Sequence, residues 1–74
     1  MEQDKYLVSD VYHVTLMINE YIVTPAPVKS IIEYTIKRGE QYNRTYLVAD
    51  IIKTIEDMCK KKLLRKTVEG YEVY

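Results

Sequence analysis

Few side chains in this sequence could do acid–base, nucleophilic or metal chemistry: one histidine, one cysteine and scattered carboxylates. Such chemistry needs these residue types at spacings that bring them together. His13 stands among apolar neighbours with no cysteine or acid at metal-ligand spacing, and reads as a partly buried structural histidine. Cys59 falls on an apolar stripe, as a buried small hydrophobe does, and no neighbouring base is placed to activate it. Glu56 and Asp57 are adjacent, so on a helix they diverge by about 100° and form no catalytic pair. Gly39 and Gly70 are isolated, which leaves no glycine-rich phosphate loop. The residues argue against catalysis, a metal centre, a cofactor or a small-molecule substrate. What remains is recognition by surface contact.

Charge is unevenly placed along the chain. Eleven basic and eleven acidic residues cancel overall. From Lys37 to Lys66, however, nine basic residues face only Glu40, Asp50, Glu56 and Asp57, whereas residues 1–36 hold two basic and five acidic. This asymmetry fits a basic binding face on a neutral protein, and binding through it should weaken steeply with salt. The run Lys60-Lys61-Lys62 fits equally well a solvated helix end serving the helix dipole and solubility.

The elements that must carry this face follow from periodicity. Leu47, Val48, Ile51, Ile52, Ile55, Met58, Cys59 and Leu63 recur at spacings of three and four, which predicts a long amphipathic helix over residues 44–62. Asn43 or Thr45 is its expected N-cap. Thr24-Pro25-Ala26-Pro27 reads as the start of a second helix over 25–38, which Gly39 should close in a left-handed conformation. Residues 6–22 alternate like a strand, with Tyr12, Val14, Leu16 and Ile18 on one side. About 17 residues without a turn is too long for a strand, and Val8, Val11, Tyr12, Thr15, Ile18 and Ile22 fit a helical stripe. A helix over 4–20 and a short strand over 21–24 are expected. The C-terminus carries two β-prone tetrads around Glu69-Gly70, predicting a hairpin over 64–74 closed by a two-residue turn with Gly70 at positive φ.

Seventy-four residues, 47% of them hydrophobic and 30% charged, suit one small domain without a disulfide framework. The N-terminus is polar and acidic, unlike a secretory leader. The least charged stretch, 11–28, is interrupted by His13, Asn19, Glu20 and two prolines, so no membrane span and a cytoplasmic location are expected.

This order of elements, a mainly α chain with a small β-hairpin (α+β), resembles the winged helix-turn-helix family over almost its whole length. Three segments carry the resemblance: Tyr21 to Val28, Asn43 to Val48, and Lys62 to Tyr71. The link between the second and third helices is long for that family, and the wing tip is tight and acidic. The resemblance implies double-stranded DNA binding by a transcriptional regulator, with the third helix in the major groove and the wing on the flanking backbone. It places Arg44, Thr45, Tyr46, Ala49, Asp50 and Lys53 nearest the bases, with Arg44 reading guanine through two hydrogen bonds. Arg65 and Lys66 at the wing base would meet phosphate. The bias toward Ile, Lys and Tyr without Trp or Phe is similar to that of small proteins from crenarchaea and their viruses; in a viral setting the location would be the host cytoplasm.

The first helix holds more apolar surface than one core stripe needs. Besides that stripe, Tyr6, Leu7, Val14, Leu16, Met17 and Tyr21 point elsewhere, and a large exposed apolar patch marks an interaction surface. A homodimer with Leu7, Val14, Met17 and Tyr21 at its interface is expected, presenting two recognition helices to a pseudo-palindromic site. The rival reading is a winged-helix module that docks another protein and never touches DNA; zero net charge and Asp50 on the reading face favour it.

Overall fold

A computed structural model describes residues 5–74, so Asp4 at the head of the first expected helix lies outside the described residues. Three helices, α1 (Lys5–Tyr21), α2 (Val28–Gln41) and α3 (Val48–Lys60), precede two strands, β1 (Leu64–Lys66) and β2 (Tyr71–Val73). The strands pair antiparallel. This is a mainly helical α+β chain with a winged helix-turn-helix layout. Among the described residues no helix is long and apolar enough to cross a membrane.

In α1 the helical period prevails over the alternation. Leu7, Val11, Val14 and Ile18 recur at spacings of three and four and are buried. Ile31 of α2, Ile51, Ile55 and Met58 of α3, and Leu64 of β1 complete the core. This stripe corrects the expected one. Leu7 and Val14, expected at a dimer interface, belong to the core, whereas Val8 and Tyr12 are only partly buried and Ile22 is exposed. A run rich in apolar residues supports several stripes, and only the helices packed against it select one.

The expected strand over 21–24 does not form. Tyr21 completes α1, and the amides of Ile22 and Val23 both donate to the Ile18 carbonyl at 2.9 and 2.8 Å. Strand-like pairing comes later, at Ala26, which donates to the Tyr71 carbonyl (2.7 Å) and accepts from its amide (2.9 Å). The Thr24–Pro25 peptide bond is cis. With Ala26 held by the hairpin, α2 cannot start at 25 and begins at Val28. Pro27 occupies its N-cap, and the Thr24 hydroxyl donates back to the Asn19 carbonyl (2.8 Å). Asn19 also secures β2: its side-chain oxygen accepts from the Val73 amide (2.9 Å), and its nitrogen donates to the Tyr71 carbonyl (3.3 Å). An amide side chain thus serves the strand edge as a neighbouring backbone would.

The C-termini of α2 and α3 share one device. Asn43 (φ 58°) follows α2 and Lys62 (φ 60°) follows α3, each in the left-handed conformation. The amide of Asn43 donates to Glu40, and that of Arg44 to Gly39; Lys62 donates to Cys59, and Leu63 to Met58. These paired bonds close the Schellman motif, which satisfies carbonyls left open at a helix end. Gly39 is therefore not the cap. It lies inside α2, where a β-carbon would stand 2.7–2.8 Å from the Tyr46 ring, so its role is to admit that ring. Asn43 takes the left-handed position because its short polar side chain tolerates it.

The wing also differs from expectation. Lys66 pairs with Tyr71, leaving a four-residue loop, Thr67 to Gly70, closed by the Thr67 amide on the Gly70 carbonyl (2.7 Å). Among the described residues no glycine has positive φ. Gly70 is needed for clearance: a β-carbon there would overlap the Ala26 carbonyl oxygen, which the Tyr71 amide must reach. Gly70→Ala is accordingly expected to cost about 1–3 kcal/mol of stability through this overlap, measured by urea denaturation, and to release the Ala26 and Tyr71 amides to hydrogen exchange.

Candidate nucleic-acid interface

Position of the third helix depends on the six residues between α2 and α3, and these converge on one carboxylate. Asp10 interrupts the apolar face of α1 and is 3% exposed. The Arg38 Nε donates to its Oδ1 at 2.9 Å; the Tyr46 hydroxyl (2.5 Å) and the Arg44 Nη1 (3.4 Å) donate to Oδ2. Burial pushes the Asp10 carboxyl up. The hydrogen bonds from Tyr46 and Arg38 and the charges of both guanidinium groups outweigh it, so the pKa lies below 3.8. Burial, and then the bond to Asp10, push the Tyr46 phenol up to about 12. Arg44 also lies over the rings of Tyr6 (4.1 Å) and Tyr42 (5.2 Å), and Arg38 over Tyr42 (5.6 Å). Charge, hydrogen bonds and cation–π attraction hold the link between the helices against α1.

This network decides where α3 begins. The helix expected over 44–62 starts at Val48, because residues 44–47 stay out of the helix, where Arg44 and Tyr46 reach Asp10. Leu47 is the N-cap, without a side-chain cap; neither Asn43 nor Thr45 fills that role. Asp50 in the first turn complements the positive helix end. Ile51, Thr54, Ile55 and Met58 face the core. The opposite face displays Ala49, Ile52, Lys53, Glu56 and Lys60, all exposed.

The residues expected to read bases separate into two groups. Ala49, Asp50 and Lys53 are exposed on α3, and Thr45 is exposed in the link before it. Tyr46 is buried in the core, and Arg44 is bound to Asp10 with its guanidinium over tyrosine rings, so neither extends from the helix. At the wing base Lys66 is exposed without an ion pair among the described residues, whereas Arg65 pairs across the hairpin with Glu72 (3.3 Å) and lies over Tyr74 (4.7 Å). Lys53, Lys60, Lys61 and Lys62 are likewise exposed and unpaired among the described residues. Of the expected dimer residues, Met17 is half-buried and Tyr21 is 79% exposed on the surface of α1.

Further residues depart from expectation. His13 is exposed on the outer side of α1, its Nδ1 2.9 Å from the Ser9 carbonyl. Half of the apolar stripe assigned to α3 faces outward: Leu47 (63%), Val48 (48%), Ile52 (40%) and Leu63 (40%) are exposed. Cys59 is half-buried, and burial pushes its thiol up, with Glu56 adding to the rise and Lys66 opposing it. Sequence reasoning missed Asp10, Arg38 and Asn19. Asp10 had one signal, a single carboxylate between Leu7 and Ile18 in an otherwise uncharged stretch. Arg38 and Asn19 had none, since their partners lie 28 and 52–54 residues away. No family model, curated protein or solved structure matches the chain.

Removing the carboxylate in Asp10→Ala leaves two guanidinium groups and a phenol without their acceptor, at a cost of about 2–3 kcal/mol, measured by urea denaturation. The pH dependence has a definite sign. Asp10, with its folded-state pKa lowered, stabilises the fold above pH 3.8, and this contribution is lost as pH falls through the folded value. Tyr46, with its pKa raised, stabilises the fold below pH 10 and loses that contribution as pH rises toward about 12. Tyr46→Phe should remove the alkaline dependence and also weaken the acid limb, since it takes away the leading bond that holds the Asp10 carboxyl down, as followed by circular dichroism across both ranges.

Proposed function

We propose that this protein binds double-stranded DNA through the outward face of α3 and the base of the wing, as a sequence-specific transcriptional regulator in the cytoplasm. One observation carries this reading. The α3 helix is fixed by one face, and its opposite face is exposed beside lysines 53, 60, 61, 62 and 66, which have no carboxylate partner among the described residues. A helix about 10–12 Å across with its side chains fits the major groove, and lysine ammonium groups supply the sequence-independent attraction to phosphate. Arg38 and Arg44 are excluded from that count because Asp10 engages both. Arg44 therefore positions the link before α3; it is not the reader of guanine. The protein acts as a homodimer through the outer surface of α1, where Leu16, Met17 and Tyr21 remain available after Leu7 and Val14 enter the core. Two α3 helices would then address half-sites about 34 Å apart.

A second reading is favoured by Leu47, Val48 and Ile52, an aliphatic ridge on the same helix that would suit a protein partner. Gel-shift titration separates the two. With five phosphate-contacting lysines, affinity for a random duplex should fall by two to three orders of magnitude, to roughly 500-fold, between about 50 and 200 mM salt. Lys53→Ala and Lys66→Ala should each reduce the salt slope by about one. Wild-type binding in both variants would reassign the surface. For the dimer, sedimentation equilibrium should give twice the 8.8 kDa chain mass, and a concentration-independent monomer mass would exclude it.

A further inference from the structure

The outward face of α3 carries little of the chemistry that reads guanine. A guanidinium is the side chain best matched to the two acceptors of guanine, and the one in the link leading into this helix, Arg44, is bound to the Asp10 carboxylate and lies over the Tyr6 ring. The first two turns of α3 instead expose Val48, Ala49 and Ile52 in a continuous aliphatic strip. On a 100° helical wheel Val48 and Ile52 lie 40° apart, with Ala49 60° beyond Ile52. Lys53 flanks the strip on one side, and Asp50, an acceptor without a donor hydrogen, lies beyond it.

The major groove has one apolar feature, the thymine 5-methyl group. An aliphatic strip bordered by an unpaired ammonium is complementary to thymine methyls lying between phosphates. The exposed acceptor Asp50 can take a hydrogen from the amino group of adenine or of cytosine, so the selection rests on the methyl contacts. We propose that Val48, Ala49 and Ile52 read thymine methyl groups, so that the preferred ligand of α3 is A·T-rich duplex DNA. This rests on the DNA-binding reading above and specifies the sequence class it selects.

Deoxyuridine lacks only that methyl, which makes the test direct. Binding at about 50 mM salt is compared for a 20-base-pair A·T-rich duplex, the same duplex with every thymine replaced by deoxyuridine, and a G·C-rich duplex of equal length. A buried methyl-sized group is worth about 0.8 kcal/mol, close to fourfold in affinity. Two contacts should therefore make the uridine duplex roughly 15-fold weaker, with the G·C duplex weaker than the thymine duplex. In Ile52→Ala, where an exposed side chain is shortened without touching the core, the thymine-to-uridine ratio should shrink toward one. Equal wild-type affinity for thymine and uridine duplexes overturns the methyl assignment and leaves DNA binding intact. An unchanged ratio in both Ile52→Ala and Val48→Ala also overturns it, since the preference would then arise from duplex shape. Failure to bind any of the three duplexes overturns DNA binding itself, and the methyl assignment with it.

Discussion

A buried carboxylate with three donors from distant parts of the chain organises this small fold. Asp10 is almost fully withdrawn from water, and an ion so placed is tolerated only when its lone pairs are satisfied. Arg38 comes from the last turn of α2, and Arg44 and Tyr46 from the link that follows. Meeting those requirements draws the end of one helix and the approach to the next onto α1. The left-handed Asn43 makes the reversal that sends Arg44 back, and Gly39 provides the clearance through which the Tyr46 ring passes. Position and starting residue of α3 are consequences of this convergence.

The hairpin is attached by a comparable economy of means. Two three-residue strands would be marginal alone. They persist because Leu64 enters the core, Ala26 pairs with Tyr71, and Asn19 bridges Tyr71 and Val73 from the last turn of α1. The last turn of α1 and the segment leading into α2 are thereby joined to the hairpin through hydrogen bonds to backbone. A domain this small buries only about 60% of its unfolded surface, and specific polar ties compensate for a limited core.

These ties also sort the basic residues by role. Sequence position puts nine of them in one half of the chain, as if all were equivalent. The two arginines nearest the link neutralise Asp10, and Arg65 steadies the hairpin through Glu72. Lysines, with long flexible stems and no fixed fork of donors, are left facing solvent. The division follows the geometry of the guanidinium, which can bond a carboxylate and lie over aromatic rings at once. The result is an outward helix face that is aliphatic and lysine-flanked, where the sequence alone suggested an arginine at its head.

Local pattern sufficed for the three helices and the hairpin, but it also suggested a strand over 21–24 that does not form. Helical spacing in residues 5–21 outlasted the alternation of β-branched residues, the paired prolines signalled the start of a helix within three residues, and the C-terminal tetrads became the hairpin. Each of these depends on neighbours a few residues apart, so the information is present in a short window. The buried side of α1, the delayed starts of α2 and α3, and the inward turn of Arg44 and Tyr46 were decided by tertiary structure. Their cause is a set of partners 28 to 54 residues away: a carboxylate that must be neutralised and a strand edge that needs hydrogen bonds. No periodicity within a single segment encodes those demands, because they exist only once the segments meet.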